Sequence, residues 1–148
     1  RHQSGRRLRE GEDIGVRRGS AHDVGGWNSI DQKITRVHAT PLNLPVSVSI
    51  SGRTKSTSLS LCLVDIETDT GLTGTGMTAI TEEEVIGAIV NDVASQALLG
   101  AVPMRHEQLW DKLYWLLTPR GQSGYASHAM AAIDLALWDL KGKALGKP

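Results

Sequence analysis

The last twenty residues of the chain, 129–148, constrain its fold more than any other segment. Asp139 and Lys143 stand four apart with the acid first, an order that stabilises a helix, and Gly146 followed by Pro148 indicates the end of that helix. Apolar residues recur at the three- and four-residue spacing that gives a helix one buried face: Ala129, Ala132, Ile133, Ala136, Leu137 and Leu140. The pattern therefore predicts a buried and well-terminated helix.

Three strand-like segments come earlier in the chain, at about 34–40, 58–66 and 73–78. The first is predicted to end at Pro41 and Pro45, because proline cannot donate a hydrogen bond to a neighbouring strand. The second and third are separated by turn-forming residues, which favours a hairpin between them. Together the segments predict a small antiparallel sheet.

The middle strand segment changes its period. Leu59, Leu61 and Leu63 alternate with polar residues, so these leucines share one face of the strand. Val64 and Ile66 then continue in the opposite phase. Such a change indicates either a bulge or a strand that is buried on both sides.

Three helical patterns follow the strands: one closed by Gly100, one opened by Pro103, and the C-terminal helix. Strands first and helices afterwards is the order of an α+β domain rather than of an alternating α/β domain. The sequence therefore predicts a three-stranded antiparallel meander followed by a helical bundle.

Length and composition exclude several classes of protein. The chain has 148 residues, whereas a (β/α)₈ barrel needs about 250, so no such barrel fits. Sixteen basic and sixteen acidic residues balance one another, which gives no reason to expect a nucleic-acid or membrane partner. The single Cys62 lies in an apolar strand segment and is interpreted as a buried, inert thiol.

No metal or nucleotide site is predicted. The five histidines include no pair at the short helical spacing used by zinc sites, and no carboxylate cluster is visible. The run Gly74-x-Gly76 resembles a dinucleotide fingerprint, but its glycines fall inside a strand rather than before a helix. They are interpreted as structural. No signal-peptide pattern is visible, so a cytoplasmic location is the default expectation.

Residues 1–32 differ in composition from the rest of the chain. They are rich in Arg, Gly and Ser and have no helical or strand period, which predicts a disordered tail or a segment foreign to the fold. A nucleic-acid-binding arm is the alternative, but Glu10, Glu12 and Asp13 interrupt the arginines and favour a solvated tail. Residues 33–148 are predicted to form the folded domain.

The C-terminal helix also carries a family resemblance. It resembles the signature near the end of the capping domain in the mandelate racemase/muconate lactonizing enzyme family of the enolase superfamily. The residues that carry the resemblance are Ala129, Ala131, Ala132, Ile133, Asp134, Ala136, Leu137, Asp139, Leu140, Gly142, Lys143 and Pro148. Upstream residues fit the same family: Glu107, Leu109, Trp110, Leu113, Tyr114, Gly121, Gly124, Ser127 and His128.

The resemblance implies an enzyme that abstracts the proton α to a carboxylate, with Mg²⁺ stabilising the intermediate. In the family the base and the Mg²⁺ ligands belong to the barrel, so no catalytic residue and no metal ligand is expected in this chain. The chain is expected to be truncated before that barrel and inactive alone. A small carboxylic acid is the expected substrate, and a homo-oligomer is the expected assembly. Racemisation, cycloisomerisation and dehydration share this first step, and dehydration of a sugar acid is the favoured reaction.

The segment 46–57 is the one loop with a functional pattern. It is rich in Ser and Thr and carries Arg53 and Lys55. In the family that the chain resembles, the loop after the first strand folds over the barrel mouth and helps to select the substrate, which implies a substrate-capping role for these two cations. The alternative for the loop is a solvated connection. The alternative for the whole chain is a non-catalytic fragment that acts only in self-association or protein interaction.

Overall fold

A single antiparallel sheet organises the molecule. The structure is a computed structural model that describes residues 31–79, 82–118 and 123–147. The strands lie in the order β1 (Ile34–Ile50), β2 (Arg53–Thr68) and β3 (Thr73–Ala79). The predicted three-stranded meander is thus confirmed, whereas the tail predicted at 1–32 lies almost wholly outside the described residues.

Three helices follow the sheet, as predicted for an α+β domain. They are α1 (Glu83–Leu98), α2 (His106–Leu117) and α3 (Tyr125–Leu145). The middle of α1, Ile89–Ala94, is π-helical. Over the described residues no single helix is long and apolar enough to cross a bilayer, and α1 reaches that threshold only jointly with the 103–117 segment, across a bend of 113°.

Helix α3 has the buried face and the end that its sequence predicts. The six apolar residues of the pattern are each no more than 1% exposed. Lys143 Nζ lies 2.7 Å from Asp139 Oδ2, which confirms the predicted pair. Gly146 adopts a left-handed conformation with φ of 60°, and the Lys147 N–H donates to the Gly142 carbonyl at 2.8 Å. This arrangement closes the helix as a glycine cap does.

Two glycines of β3 let α3 lie directly on the sheet. A Cβ added at Gly76 would stand 2.0 Å from the Ala132 carbonyl oxygen, and one added at Gly74 would stand 2.2 Å from that of Ala136. Neither position has room for any side chain. The structural interpretation of Gly74-x-Gly76 is therefore confirmed, since the glycines serve helix–sheet contact and not a nucleotide.

Strand β2 is apolar on both faces. Cys62, Val64 and Ile66 are fully buried on the inner face, which packs against the helices. Leu61 and Leu63 are half-buried on the opposite, outer face. The pairing with β1 and β3 runs through this region without a register shift, so a bulge is excluded. The strand is apolar on both sides, but only its inner side is fully buried, so the prediction of burial on both sides is only partly right. Burial also raises the pKa of the Cys62 thiol, with smaller contributions from Glu84 and Glu83.

Strand β1 does not end at its prolines, and this prediction was wrong. Pro41 and Pro45 pair in register with Cys62 and Ser58 of β2. The backbone N–H of Ala39 points away from β2, because it donates to the Asn91 side chain. The prolines lie two and six residues further along and share this direction, so neither removes a hydrogen bond from the sheet. An edge strand tolerates proline in that orientation.

Side chains of the helices cover both edges of the sheet. On the β1 edge, Asn91 accepts from the Ala39 N–H at 2.8 Å and donates to the Ala39 carbonyl at 3.0 Å. On the β3 edge, Asp139 accepts from the Thr75 N–H at 2.8 Å, and Lys143 donates to the Thr73 carbonyl at 2.8 Å. These contacts satisfy edge groups that would otherwise pair with another strand.

A candidate substrate-capping arm

The segment 46–57 is a two-stranded arm and not a loop. Its residues pair in register across β1 and β2, from Val46 opposite Thr57 to Ile50 opposite Arg53. Ser51 and Gly52 connect the strands with positive φ angles of 51° and 76°, as in a tight type I′ hairpin turn. The loop prediction was wrong because the alternation of Val and Ser in 46–50 is itself a strand pattern.

The arm has two chemically different faces. Directly opposite residues of an antiparallel pair lie on the same face, so each face can be read from the register. The outer face carries apolar and cationic side chains: Val46, Val48, Ile50, Arg53, Lys55 and Thr57. The inner face carries hydroxyl groups: Ser47, Ser49, Thr54 and Ser56. Ser47 Oγ and Ser56 Oγ lie 3.5 Å apart, which confirms that these hydroxyls share a face.

Arg53 and Lys55 are exposed near the tip of the arm. They lie opposite Ile50 and Val48, two apolar residues that are 70% and 44% exposed. Neither cation has an ion-pair or hydrogen-bond partner within 31–79, 82–118 and 123–147. Both charges are therefore available to an anionic ligand or to another protein surface.

The root of the arm is tied to the helical layer. Asn43 Nδ2 donates to Glu83 Oε1 at 2.8 Å, which joins β1 to the first turn of α1. This hydrogen bond is the main cause that lowers the pKa of the Glu83 carboxyl. Beyond Leu61 towards the tip, β2 has no β3 partner, so the arm projects from the sheet as an isolated ribbon.

A polar cavity of about 390 Å³ lies beside the root of the arm. Its polar lining consists of Ser58, Ser60, Glu82, Tyr125 and His128. The first two continue the hydroxyl row of the inner face, whereas Arg53 and Lys55 lie on the outer face. The structure thus separates the predicted cations from the cavity and does not bring them into one site.

His128 is the one imidazole in this cavity. Its Nδ1 lies 3.3 Å from the Thr78 hydroxyl of β3. Sequence reasoning missed the cavity because Glu82, Tyr125 and the two serines are distant in sequence. Only His128, at the start of the C-terminal helix pattern, carried a signal. The groups that line this cavity suit a polyol. The carboxylate can accept hydrogen bonds from it, and the imidazole, phenol and hydroxyl groups can both donate and accept.

The described residues offer no metal site. Within 31–79, 82–118 and 123–147, no three His, Cys, Asp or Glu side chains stand together as a metal centre requires. The donor set that Mg²⁺ prefers, several oxygen ligands at one point, is therefore not assembled in this part of the chain. The Mg²⁺ that the family resemblance implies was expected on the barrel, and these residues do not assemble ligands for it.

Together, the meander, the three-helix layer and the projecting arm define a capping domain of the α+β class. The sequence model of the mandelate racemase / muconate lactonizing enzyme N-terminal domain matches residues 30–148. The chain therefore belongs to this family, which is part of the enolase superfamily.

Curated relatives of the chain act on sugar acids. It is 32% identical over 113 residues to the 3,6-anhydro-alpha-L-galactonate cycloisomerase of Streptomyces coelicolor, covering 74% of this chain and 31% of that protein. It is 34% identical over 113 residues to the L-talarate/galactarate dehydratase of Salmonella typhimurium, covering 73% and 28%. The chain spans about a third of the length of these relatives, which are isomerases and lyases.

Solved structures agree with the family assignment. A mandelate racemase/muconate lactonizing enzyme from a Polaromonas species matches with a TM-score of 0.68 and 33% identity, over 78% of this chain and 31% of that one. An L-talarate dehydratase from the same genus, complexed with Mg and L-glucarate, matches with a TM-score of 0.66 and 32% identity. That match covers 78% of this chain and 30% of the dehydratase.

Proposed function

We propose that this chain is the capping domain of a Mg²⁺-dependent enolase-superfamily enzyme that dehydrates a sugar acid. The reaction would begin with removal of the proton α to the carboxylate. Loss of the β-hydroxyl as water would then give an enol, which rearranges to the 2-keto acid. Dehydratases and cycloisomerases both occur among the relatives, and both reactions share the first step. The hydroxyl-rich and cationic arm favours a substrate with several hydroxyl groups.

The exposed arm is the observation that carries this proposal. It projects beyond the third strand and presents at its tip two exposed cations that have no partner among the described residues. In an intact enzyme these cations would lie over the mouth of the barrel. Charge-assisted hydrogen bonds from Arg53 or Lys55 to a substrate carboxylate would contribute on the order of 1.5–3 kcal/mol each in a site shielded from water.

The chain's own part in the reaction is to bind, orient and exclude water. Its described residues hold no Mg²⁺ site, and the base is proposed to come from the catalytic barrel together with the metal ligands. When bound there, Mg²⁺ would stabilise the negative charge that forms on the substrate carboxylate. We therefore expect the isolated chain to be inactive and to bind Mg²⁺ no better than an ordinary acidic surface.

Kinetics of the intact enzyme test the role of the arm. Replacing Arg53 or Lys55 with Ala should lower kcat/KM by roughly tenfold or more, because the lost contact binds the substrate and the transition state. Exchange of the α-proton with solvent should continue, since the base lies elsewhere. The matched control is Lys33→Ala, an exposed cation at the base of the sheet. Unchanged kinetics in both arm variants would leave the arm as a solvated hairpin.

Self-association of the chain is the second candidate function. It is favoured by large apolar side chains that stay exposed on both layers of the domain, among them Met77 at 51% and Trp115 at 65%. Exposed apolar patches of this kind mark interaction surfaces. Sedimentation of the 148-residue chain over a range of concentrations tests this candidate, and a monomer at every concentration would exclude it.

A further inference from the structure

The outer face of the sheet is an apolar surface with no helix on it. The residues of β1, β2 and β3 that share this face are read from the strand register. Its central block is formed by Leu42, Leu44, Leu59, Leu61, Leu63 and Met77. Leu44 and Met77 are 43% and 51% exposed. The hydrophobic effect therefore favours covering this block.

At the base of the sheet, below the arm, the other surfaces are already occupied. The inner face packs against the helices so closely that Gly76 has no room for a Cβ atom. Asn91 binds the β1 edge, and Asp139 with Lys143 binds the β3 edge. Strand-to-strand addition is thus blocked at these points. Among the surfaces of this base in the described part of the chain, the outer face remains open.

Charge is distributed unequally along this outer face. At the tip stand Arg53 and Lys55, which have no partner in the described part of the chain. At the opposite end stand Asp65 and Glu67, with Arg36 beside Glu67. Apart from His38, which lies opposite Asp65, the charged residues sum to +2 at the tip and −1 at the base. The apolar block lies between them.

We propose that two copies of this chain pack outer face to outer face, with the arm of each copy over the base of its partner. The two-fold axis lies between the sheets and crosses the strands near Leu59 and Leu61. This arrangement places the tip cations of one copy against Asp65 and Glu67 of the other, twice in each dimer. It also buries both apolar blocks at the centre, as in the aligned packing of two twisted sheets. This arrangement assigns a surface and an orientation to the self-association proposed above.

The available area suits such a dimer. A strand of 17 residues extends about 56 Å at roughly 3.3 Å per residue, and adjacent strands are spaced by about 4.8 Å. Two long strands and the shorter β3 thus present about 600 Å² per copy, or about 1,200 Å² in total. This total lies at the lower end of the range for specific interfaces, so a dimer in reversible equilibrium is expected.

Substrate capping and this dimer compete for the same two cations. Arg53 and Lys55 cannot bind an acid substrate and the carboxylates of a second copy at once. The two proposals are tested on different proteins, the intact enzyme by kinetics and the 148-residue chain by sedimentation. Failure of one therefore remains distinguishable from failure of the other.

A charge-exchange pair tests the orientation. The tip variant is R53E/K55E, and the base variant is D65N/E67Q, which leaves Arg36 as the net charge of the base. Each variant alone sets like charges against each other, so its dimer dissociation constant should rise about tenfold. In an equimolar mixture, both tip–base contacts are again of opposite sign, and association should return to within about threefold of the unmodified chain. No recovery in the mixture would overturn the proposal.

A second pair of variants tests the surface itself. Met77→Lys places a charge in the apolar block and should raise the dissociation constant by at least tenfold. The matched control is Leu116→Lys on α2, an apolar residue of similar exposure, 47% against 51%, which should leave association unchanged. Circular dichroism checks that both variants are folded. Dissociation by L116K but not M77K, or an unmodified chain that is monomeric at about 100 µM, would overturn the proposal.

Discussion

The base of the β1–β2 hairpin and its arm are made by the same two strands but are held in different ways. In the base, β3 and α3 fix the strands, and two glycines allow backbone to lie against backbone. In the arm, each strand has only the other as a neighbour, and nearly every side chain is exposed. The base is therefore determined by packing and the arm by its turn and its pairing. Substitutions in the arm can change the surface without changing the fold.

The largest effect that separates the two regions is expected at Gly76. Gly76→Ala places a methyl group 2.0 Å from the Ala132 carbonyl oxygen and 2.6 Å from the Ala136 nitrogen. Helix α3 must move off the sheet, so we expect a loss of at least about 3 kcal/mol in the free energy of unfolding, measured with urea.

Gly87→Ala is the matched control for this substitution. Gly87 is also buried, but an added Cβ would lie at an ordinary 3.6 Å from Pro41. The alanine should be neutral or stabilise the helix by up to about 1 kcal/mol. Equal effects at Gly76 and Gly87 would contradict the role of close helix–sheet contact.

The next effect is expected at the edge of the base. Asn91→Ala removes two hydrogen bonds and leaves the N–H and carbonyl of Ala39 unpaired at a partly buried edge. We expect destabilisation by about 2 kcal/mol in urea unfolding. Asn43→Ala is the control, because its single exposed bond to Glu83 lies at the root of the arm and should contribute much less than the Asn91 bonds. A larger loss of stability in Asn43→Ala than in Asn91→Ala would contradict the view that the base, and not the arm, determines the stability of the fold.

Two turn glycines also distinguish the arm from the base. Gly52 at the tip of the arm and Gly71 between β2 and β3 have similar positive φ angles, 76° and 84°, and open space around them. Alanine should cost about 1 kcal/mol at either position. At Gly71 the cost should appear in global unfolding. At Gly52 it should appear only as faster hydrogen exchange of the arm amides, and a drop in global stability there would show that the arm is part of the cooperative unit.

The smallest expected effect is electrostatic and lies on the β3 edge. The Lys143 ammonium, followed by the Thr75 N–H, lowers the pKa of Asp139. A carboxyl whose pKa is lower in the folded state stabilises the protein above its unfolded pKa, and this contribution is lost as pH falls through the folded value. The loss should therefore occur below about pH 4. Because the pair is partly exposed, we expect less than about 1 kcal/mol.

Stability measured between neutral and acid pH tests this assignment. In Asp139→Asn the corresponding part of the acid destabilisation should be absent. Asp134→Asn is the control on the same helix, since Asp134 has no hydrogen-bond partner in the described part of the chain. An identical pH dependence in D139N and the unmodified chain would contradict the assignment.

The features predicted correctly are those that depend on local periodicity. The buried face of α3, its glycine cap and the Asp139–Lys143 pair all follow from spacings of three to five residues. The true length of β1 could not be predicted from Pro41 and Pro45 alone, because the direction of their nitrogen atoms depends on the register of β1 against β2. The π-helical turn that presents Asn91 has no sequence signature.

The candidate site was only partly predictable, because part of it depends on contacts between residues that are distant in sequence. Arg53 and Lys55 stand out in the sequence, and their shared face follows from the alternation of a strand once the segment is known to be one. The cavity at the root of the arm is assembled from three segments that are distant along the chain. Both faces of the arm are exposed, so the alternation of the strand alone does not select the face that meets a substrate.

The binding of Asp139 and Lys143 to the β3 edge also has a consequence during synthesis of the chain on the ribosome. Thr75 and the carboxylate that binds its N–H are separated by 64 residues. At about 5–20 residues per second, the ribosome needs roughly 3–13 s to add that length. During this interval the nascent hairpin exposes an open strand edge, and another nascent chain or a chaperone can bind it. Docking of α3 on the sheet therefore ends the period in which this strand edge is open to other chains.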